Sequence, residues 1–211
     1  MTTGTSRQGT HETSWEHINA LRAAKVQQEQ RRRRRIRFAS VGATVAVIAI
    51  VVAMMLTSRQ ESSSVMRVAP DFTLADTSGT QVSLAGLRGK NVLLYFSEGA
   101  GCQACLVQMA QIEKDPAFAA AGLTVLPIVM NTREQITTDM TANDVRTPFL
   151  LDDGTTSNAY GTLGKGMHAN LPGHSFVLID KAGNQRWYGE YPSMFISPDD
   201  LLKEVQNHLS T

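Results

Sequence analysis

The sequence is short of cysteine and of net charge. Two cysteines occur among 211 residues, both within Cys102-Gln103-Ala104-Cys105. Neither adjoins the long apolar run described below, which excludes lipid attachment there. The formal net charge is only +1, so the chain is not basic throughout. No internal repeat is present, which excludes repeat architectures. Gly161-Thr162-Leu163-Gly164-Lys165-Gly166 has the glycines and lysine of a phosphate loop. No Ser or Thr follows Lys165 and no strand leads into the segment, so a flexible loop is expected instead.

What charge there is lies at one end. Residues 1–37 hold nine Lys/Arg against three Asp/Glu, a local balance of +6, which leaves about −5 for the remainder. Phe38 to Thr57 is then twenty residues without a charge. At about 1.5 Å per residue, a helix of that length matches a hydrocarbon core of roughly 30 Å. Arg31 to Arg35 and Arg37 precede the run, whereas only Arg59 and Arg67 follow closely. Arginine stays on the cytoplasmic side, so the expected topology is a single-pass protein of the cell membrane, N-terminus inside and C-terminal domain outside. Met54-Met55-Leu56 offers no small-x-small cleavage site and the leading region is long, so the run is expected to persist as an anchor. The arginine run is then a topology signal beside anionic headgroups, and no nucleic acid is expected as a partner. In the polar residues 1–30, Trp15, Ile18 and Leu21 alone have helical spacing, which predicts a mostly disordered cytoplasmic tail.

The expected organisation is a basic tail at 1–37, an anchor at 38–57, a polar linker at 58–67 and one globular domain at 68–211. In that domain Asn91–Phe96 reads as a strand buried on both faces. Leu106, Met109 and Ile112 give a helix over 103–114 before Pro116, and a second helical stretch ends at Gly122. Leu123–Met130 reads as a strand in which Pro127 predicts an edge or a bulge. A helix at Arg133–Asn143 and a short strand at Pro148–Leu151 follow. Ser175–Asp180 and Gln185–Gly189 form a hairpin around residues 181–184. Ser197 caps a last helix with Pro198 in its first turn, and Leu201, Leu202, Val205 and Leu209 form its apolar stripe. With a short β-pair in front, the fold class is α/β, a central mixed sheet flanked by helices. Trp187 and Tyr188 read as core.

The cysteines follow a buried strand and open a helix. A sulfur at that end meets unsatisfied N–H groups and the positive end of the helix dipole, which lowers its pKa and makes it a nucleophile. A second sulfur one turn later can attack the resulting mixed disulfide. The other reading, a stabilising disulfide, closes a loop too short to constrain the unfolded chain much.

Ala69-Pro70-Asp71-Phe72-Thr73-Leu74, Val82-Ser83-Leu84 and Leu87-Arg88-Gly89-Lys90 resemble the opening of the redoxin branch of the thioredoxin superfamily, and the likeness runs from about Ala69 to Leu209. That branch includes peroxiredoxins and TlpA/ResA-like membrane-anchored reductases, so the resemblance implies a thioredoxin-like fold and thiol–disulfide or peroxide chemistry. Thioredoxin-like members usually carry an aromatic residue where Gly101 stands. In the peroxiredoxin alignment Cys105 falls at the peroxidatic position and Cys102 replaces a threonine. The resemblance also places His174 where the thioredoxin fold keeps a cis-proline and peroxiredoxins an arginine, with Pro172 two residues earlier. The Pro172–His174 turn is therefore expected against the cysteines, with His174 stabilising a thiolate or moving protons near neutral pH. The alternative is an ordinary loop histidine beside a trans-proline. Glu98 is either a proton acceptor or a solvated side chain.

The leading expectation is an extracytoplasmic thiol–disulfide oxidoreductase in which Cys102 attacks and Cys105 resolves. Its partners would be protein thiols or disulfides, a membrane or extracytoplasmic electron donor, and lipid around the anchor. Two rivals stand beside it: a peroxiredoxin-type thiol peroxidase, and a copper chaperone similar in plan to Sco proteins. Zinc held by Cys102, Cys105, His168 and His174 would consume the only cysteines in an oxidising compartment, so neither metal nor cofactor is expected.

Overall fold

The computed structural model describes residues 61–210, except for the side chains at 61 and 65, together with 45–52 and the single positions 25, 28, 31, 38 and 42. The chain divides into two compact units, Met1–Thr57 and Ser58–Thr211. In the first, residues 45–52 are helical. Val45, Val47, Ile48, Ile50, Val51 and Val52 are each about half exposed. Most of the tail and much of the 38–57 anchor lie outside the described residues. Among the described residues no helix is long and apolar enough to cross a membrane.

The second unit begins with a departure from the sequence reading. Glu61–Val68 is a strand, β1, and not a linker. It pairs antiparallel with β8 (Asn184–Glu190). Ladder hydrogen bonds come from the backbone, so a serine-rich segment pairs as well as an apolar one at an edge. Two side-chain bonds hold the pair, Trp187 Nε1 donating to Ser62 Oγ at 2.8 Å and Arg67 Nε to Gln185 Oε1 at 2.9 Å. The short pair β2 (Thr73–Ala75) and β3 (Gln81–Ser83) follows as expected.

The main sheet has the order β1-β8-β7-β4-β5-β6. Its centre is β4 (Asn91–Phe96), parallel to β5 (Leu123–Val129) and antiparallel to β7 (Ser175–Ile179). The edge strand β6 is Leu150–Leu151. Pro127 makes no bulge, because the β4–β5 register is unbroken from Asn91↔Leu123 to Phe96↔Ile128. Its missing N–H is tolerated because β6 pairs only with Ile128 and Val129, leaving Pro127 open on that side.

Alternation along β4 builds two cores. Leu93 and Tyr95 face α1 (Gln103–Lys114) and α5 (Pro198–Leu209), meeting Leu106, Met109, Ile112, Leu201 and Val205. Val92, Leu94 and Phe96 face the other side with Phe72, Ile128 and Tyr160. Burying each such side chain contributes roughly 1.5–3 kcal/mol. Three further α-helices, α2 (Pro116–Ala120), α3 (Arg133–Ala142) and α4 (Thr155–Ala159), and a short 3-10 turn at Ala85–Leu87 complete the described part of the unit. Thr132 and Gln135 form a capping box on α3, and Ser197 Oγ accepts from Asp200 N on α5. Trp187 is fully buried.

Two carboxylates, Glu113 in the last turn of α1 and Asp180 in the turn between β7 and β8, make this fold acid-sensitive. At Glu113 burial opposes ionisation, but bonds from the Thr147 amide and hydroxyl (each 2.7 Å) and the Arg146 amide (2.9 Å) outweigh it and hold the pKa below the usual range. Asp180 is likewise lowered: burial opposes, and the Asn184 amide at 2.8 Å and Asn184 side chain prevail. A depressed folded-state pKa adds stability that is present above the unfolded value, about 3.9 for Asp and 4.3 for Glu, and lost as pH falls through the folded value. The melting temperature should therefore drop below about pH 4.3, and Glu113→Gln should flatten that acid limb while lowering the neutral plateau. Parallel limbs in the two proteins would count against this role of Glu113.

Candidate active site

The two cysteines sit where β4 hands over to α1. Cys102 is the N-cap of α1 and is disulfide-bonded to Cys105, with the Cα atoms 5.3 Å apart. Cys102 Sγ also accepts from the Cys105 amide at 3.3 Å, a donor it shares with the Cys102 carbonyl at 3.0 Å. Cys102 is partly exposed, whereas Cys105 is 1% exposed and packed among Tyr95, Leu106 and Met109.

The loop from β4 to Cys102 is held by backbone amides. The Ala100 amide donates to Asn131 Oδ1 at 2.8 Å, the Gly101 amide to Asp139 Oδ2 at 2.7 Å, and the Cys102 amide to the Gly99 carbonyl at 3.0 Å. Gly101 has φ +86° with open space around it, so conformation and not crowding explains why no aromatic residue precedes Cys102. Gly99 has φ +74° and is also crowded, since a Cβ there would run into Asn131 Oδ1 and Val129. On α1 itself, Gln103 Nε2 donates to Asn143 Oδ1.

His174 ends the loop before β7 and is 1% exposed. Its Nδ1 lies 3.2 Å from the Tyr95 hydroxyl, which also donates to the Cys105 carbonyl at 3.1 Å. The structure thus joins His174 to Cys105 through Tyr95, a residue the sequence reading had placed only in a buried strand. The signal available was a single hydroxyl in an otherwise apolar run, seven residues before Cys102. The expectation that His174 titrates near neutral pH is overturned. Burial pushes its pKa down to about 3, so the ring is neutral under ordinary conditions. Tyr95 is pushed far up by the same burial and stays a phenol.

Pro172 is buried and bridges to Leu163, and every described peptide bond is trans. The loop expected to be flexible at 161–166 is instead tied to this turn, Gly173 N donating to the Thr162 carbonyl and Gly164 N to the Leu171 carbonyl, both at 2.9 Å. Glu98 is neither solvated nor directed at a sulfur. It is 3% exposed and accepts from the His168 amide at 3.1 Å, with His168 Nδ1 2.9 Å from its other oxygen. Gly166 lies so close to Glu98 that a Cβ would strike its carboxylate. The carboxylate therefore fastens the 163–173 loop to the loop that delivers Cys102. His168 and His174, grouped in one zinc set by the sequence reading, serve different partners, Glu98 and Tyr95. Among the described residues no cluster of three or more His, Cys, Asp or Glu could hold a metal ion. Glu98→Ala should cost about 1–3 kcal/mol by leaving the His168 amide unpaired. Faster hydrogen exchange confined to residues 164–173 is the expected readout, and an unchanged pattern would contradict the tie.

A mixed sheet with a Cys-x-x-Cys pair at the start of its first long helix defines a thioredoxin-like α/β protein. The chain belongs to the AhpC/TSA family, whose pattern matches residues 65–188. It is 35% identical over 99 residues to Rv2521 of Mycobacterium tuberculosis, which carries a peroxiredoxin name, covering 46% of this chain and 63% of that protein. It is 28% identical over 126 residues to the thiol-disulfide oxidoreductase ResA of Bacillus cereus, covering 59% of this chain and 68% of that one. The match thus spans a little under two thirds of Rv2521. The crystal structure of peroxidoxin BcpB from Mycobacterium tuberculosis superposes with a TM-score of 0.57 at 21% identity, over 68% of this chain and 97% of that one, a likeness of fold.

Proposed function

We propose that this chain is an extracytoplasmic thiol–disulfide oxidoreductase, held at the membrane by residues 38–57, in which Cys102 exchanges with protein partners and Cys105 resolves. The observation that carries the reading is the unequal exposure of the two sulfurs' residues. Cys102 is reachable at the helix start, and Cys105 is 1% exposed behind it. A partner disulfide can meet only the first, and the second is one turn away to displace the partner. Anchoring rests on the uncharged run and its preceding arginines, and the half-exposed apolar side chains at 45–52 are in keeping with it.

Kinship with proteins named peroxiredoxins favours a second reading, peroxide reduction, with Cys105 as the peroxidatic residue. One comparison separates the two. The full-length protein should catalyse dithiol-driven reduction of a protein disulfide, and peroxide consumption with the same dithiol should stay near the uncatalysed rate. Rapid peroxide turnover without disulfide exchange would replace the first reading with the second. For location, a reporter that is active only outside the cytoplasm, fused after Thr211, should be active. An inactive fusion would overturn the proposed topology.

A further inference from the structure

His174 Nε2 is buried and has no hydrogen-bond partner among the described residues. Its other nitrogen shows which form the ring takes. The Tyr95 hydroxyl is 3.1 Å from the Cys105 carbonyl and 3.2 Å from His174 Nδ1. A carbonyl can only accept, so the single phenolic proton points there. Both contacts are hydrogen bonds at once only if Nδ1 carries a proton and donates it to the Tyr95 oxygen. Nε2 is then a bare lone pair. Aromatic rings pack around the imidazole, with Tyr95 and Phe176 centroids 5.0 and 5.8 Å away, so its surroundings are apolar.

A buried acceptor with no donor is unfavourable, and the disulfide state supplies none: Cys105, joined to Cys102, has no S–H. Reduction creates one. The new thiol sits at a residue 1% exposed, where solvent can hardly serve it, and its main chain shares the Tyr95 hydroxyl with the imidazole. We propose that Tyr95 fixes His174 as the Nδ1–H tautomer, so that Nε2 accepts from the Cys105 thiol and favours the reduced pair, making this site an oxidant of protein dithiols. The inference rests on the thiol-exchange reading above and gives it a direction.

The chemistry balances without another reagent. A partner thiolate attacks Cys102 Sγ, the Cys102–Cys105 bond breaks, and Cys105 leaves as a thiolate that takes up the partner's proton. The resulting thiol donates to Nε2. The partner's second thiolate then attacks its own sulfur in the mixed disulfide and expels Cys102, which takes the second proton. The partner has lost two electrons to the two cysteines and departs as a disulfide. Tyr95 is a positioning residue here, because it acts through the imidazole.

Two measurements on the full-length chain in detergent test this. Ring ¹⁵N spectra of the oxidised protein should show His174 protonated at Nδ1, and reduction should move the Nε2 resonance in the direction of hydrogen-bond acceptance. A proton on Nε2 in the oxidised protein, or an Nε2 resonance that ignores reduction, would overturn the proposal. Equilibration with glutathione gives the second readout. His174→Leu should shift the pair about tenfold toward the disulfide, ~30 mV to the reducing side. Tyr95→Phe should shift it in the same direction, with the imidazole proton redistributed between its two nitrogens. Potentials equal to the parent's, or shifted toward the dithiol, would contradict it. A pair that cannot be reduced reversibly at all would sink the thiol-exchange reading itself, a failure distinct from an unchanged potential.

Discussion

Cys105→Ser should accumulate mixed disulfides through Cys102, in at least about tenfold excess over the parent protein. Without the second sulfur, a partner bound to Cys102 has no internal nucleophile to displace it. The N-cap geometry survives the change, because the helix start is held by Cys102 itself and by the amides of Ala100 and Gly101. Serine in place of a thiol packed among Leu106 and Met109 costs some stability but leaves the backbone as it is. Cys102→Ser should give no trapped species, since Cys105 is 1% exposed. Non-reducing electrophoresis followed by mass spectrometry of the captured bands reads the result. Trapping by Cys102→Ser and not by Cys105→Ser would reverse the roles and favour the peroxidatic assignment of Cys105.

Gly99→Ala should disable the site while sparing the fold. Two independent penalties meet at this position. A left-handed backbone costs an L-residue roughly 1–2 kcal/mol. The added methyl would also strike Asn131 Oδ1 and Val129, the former being the acceptor for the Ala100 amide. The loop must move, and Cys102 moves with it, because the Cys102 amide is bonded to the Gly99 carbonyl. A displacement near 1 Å at reacting atoms can lower a rate about 100-fold, and disulfide exchange should fall by that order. Gly101→Ala provides the contrast: it carries the backbone penalty without the clash, so its loss should be smaller. Equal losses in the two variants would show that crowding at Gly99 does not matter.

The sequence made the central sheet legible because its signals are local. The run Asn91–Phe96, the spacing of Leu106, Met109 and Ile112, and the Ser197–Pro198 helix start each state their structure within a few residues. The strand β1 was hidden because its pairing partner lies over a hundred residues away and its own serines resemble a tether. Glu98 and His174 were found as candidates, and His174 was expected near the cysteines, but the burial of both was not foreseen. Burial decides both, and burial at the end of a strand depends on which loops fold over it. The 163–173 loop covers Glu98, while the rings of Tyr95 and Phe176 enclose His174. Tyr95 was passed over because a tyrosine in an apolar strand reads as bulk until its hydroxyl is placed.

The most direct test of the account is the pH dependence of alkylation at each cysteine of the freshly reduced protein, resolved by mass spectrometry. Cys102 should react first, with a midpoint well below the ~8.5 of a free thiol, because the helix start favours its anion. Cys105 should remain protected until the domain unfolds. Equal labelling of both residues, or faster labelling of Cys105, would contradict it.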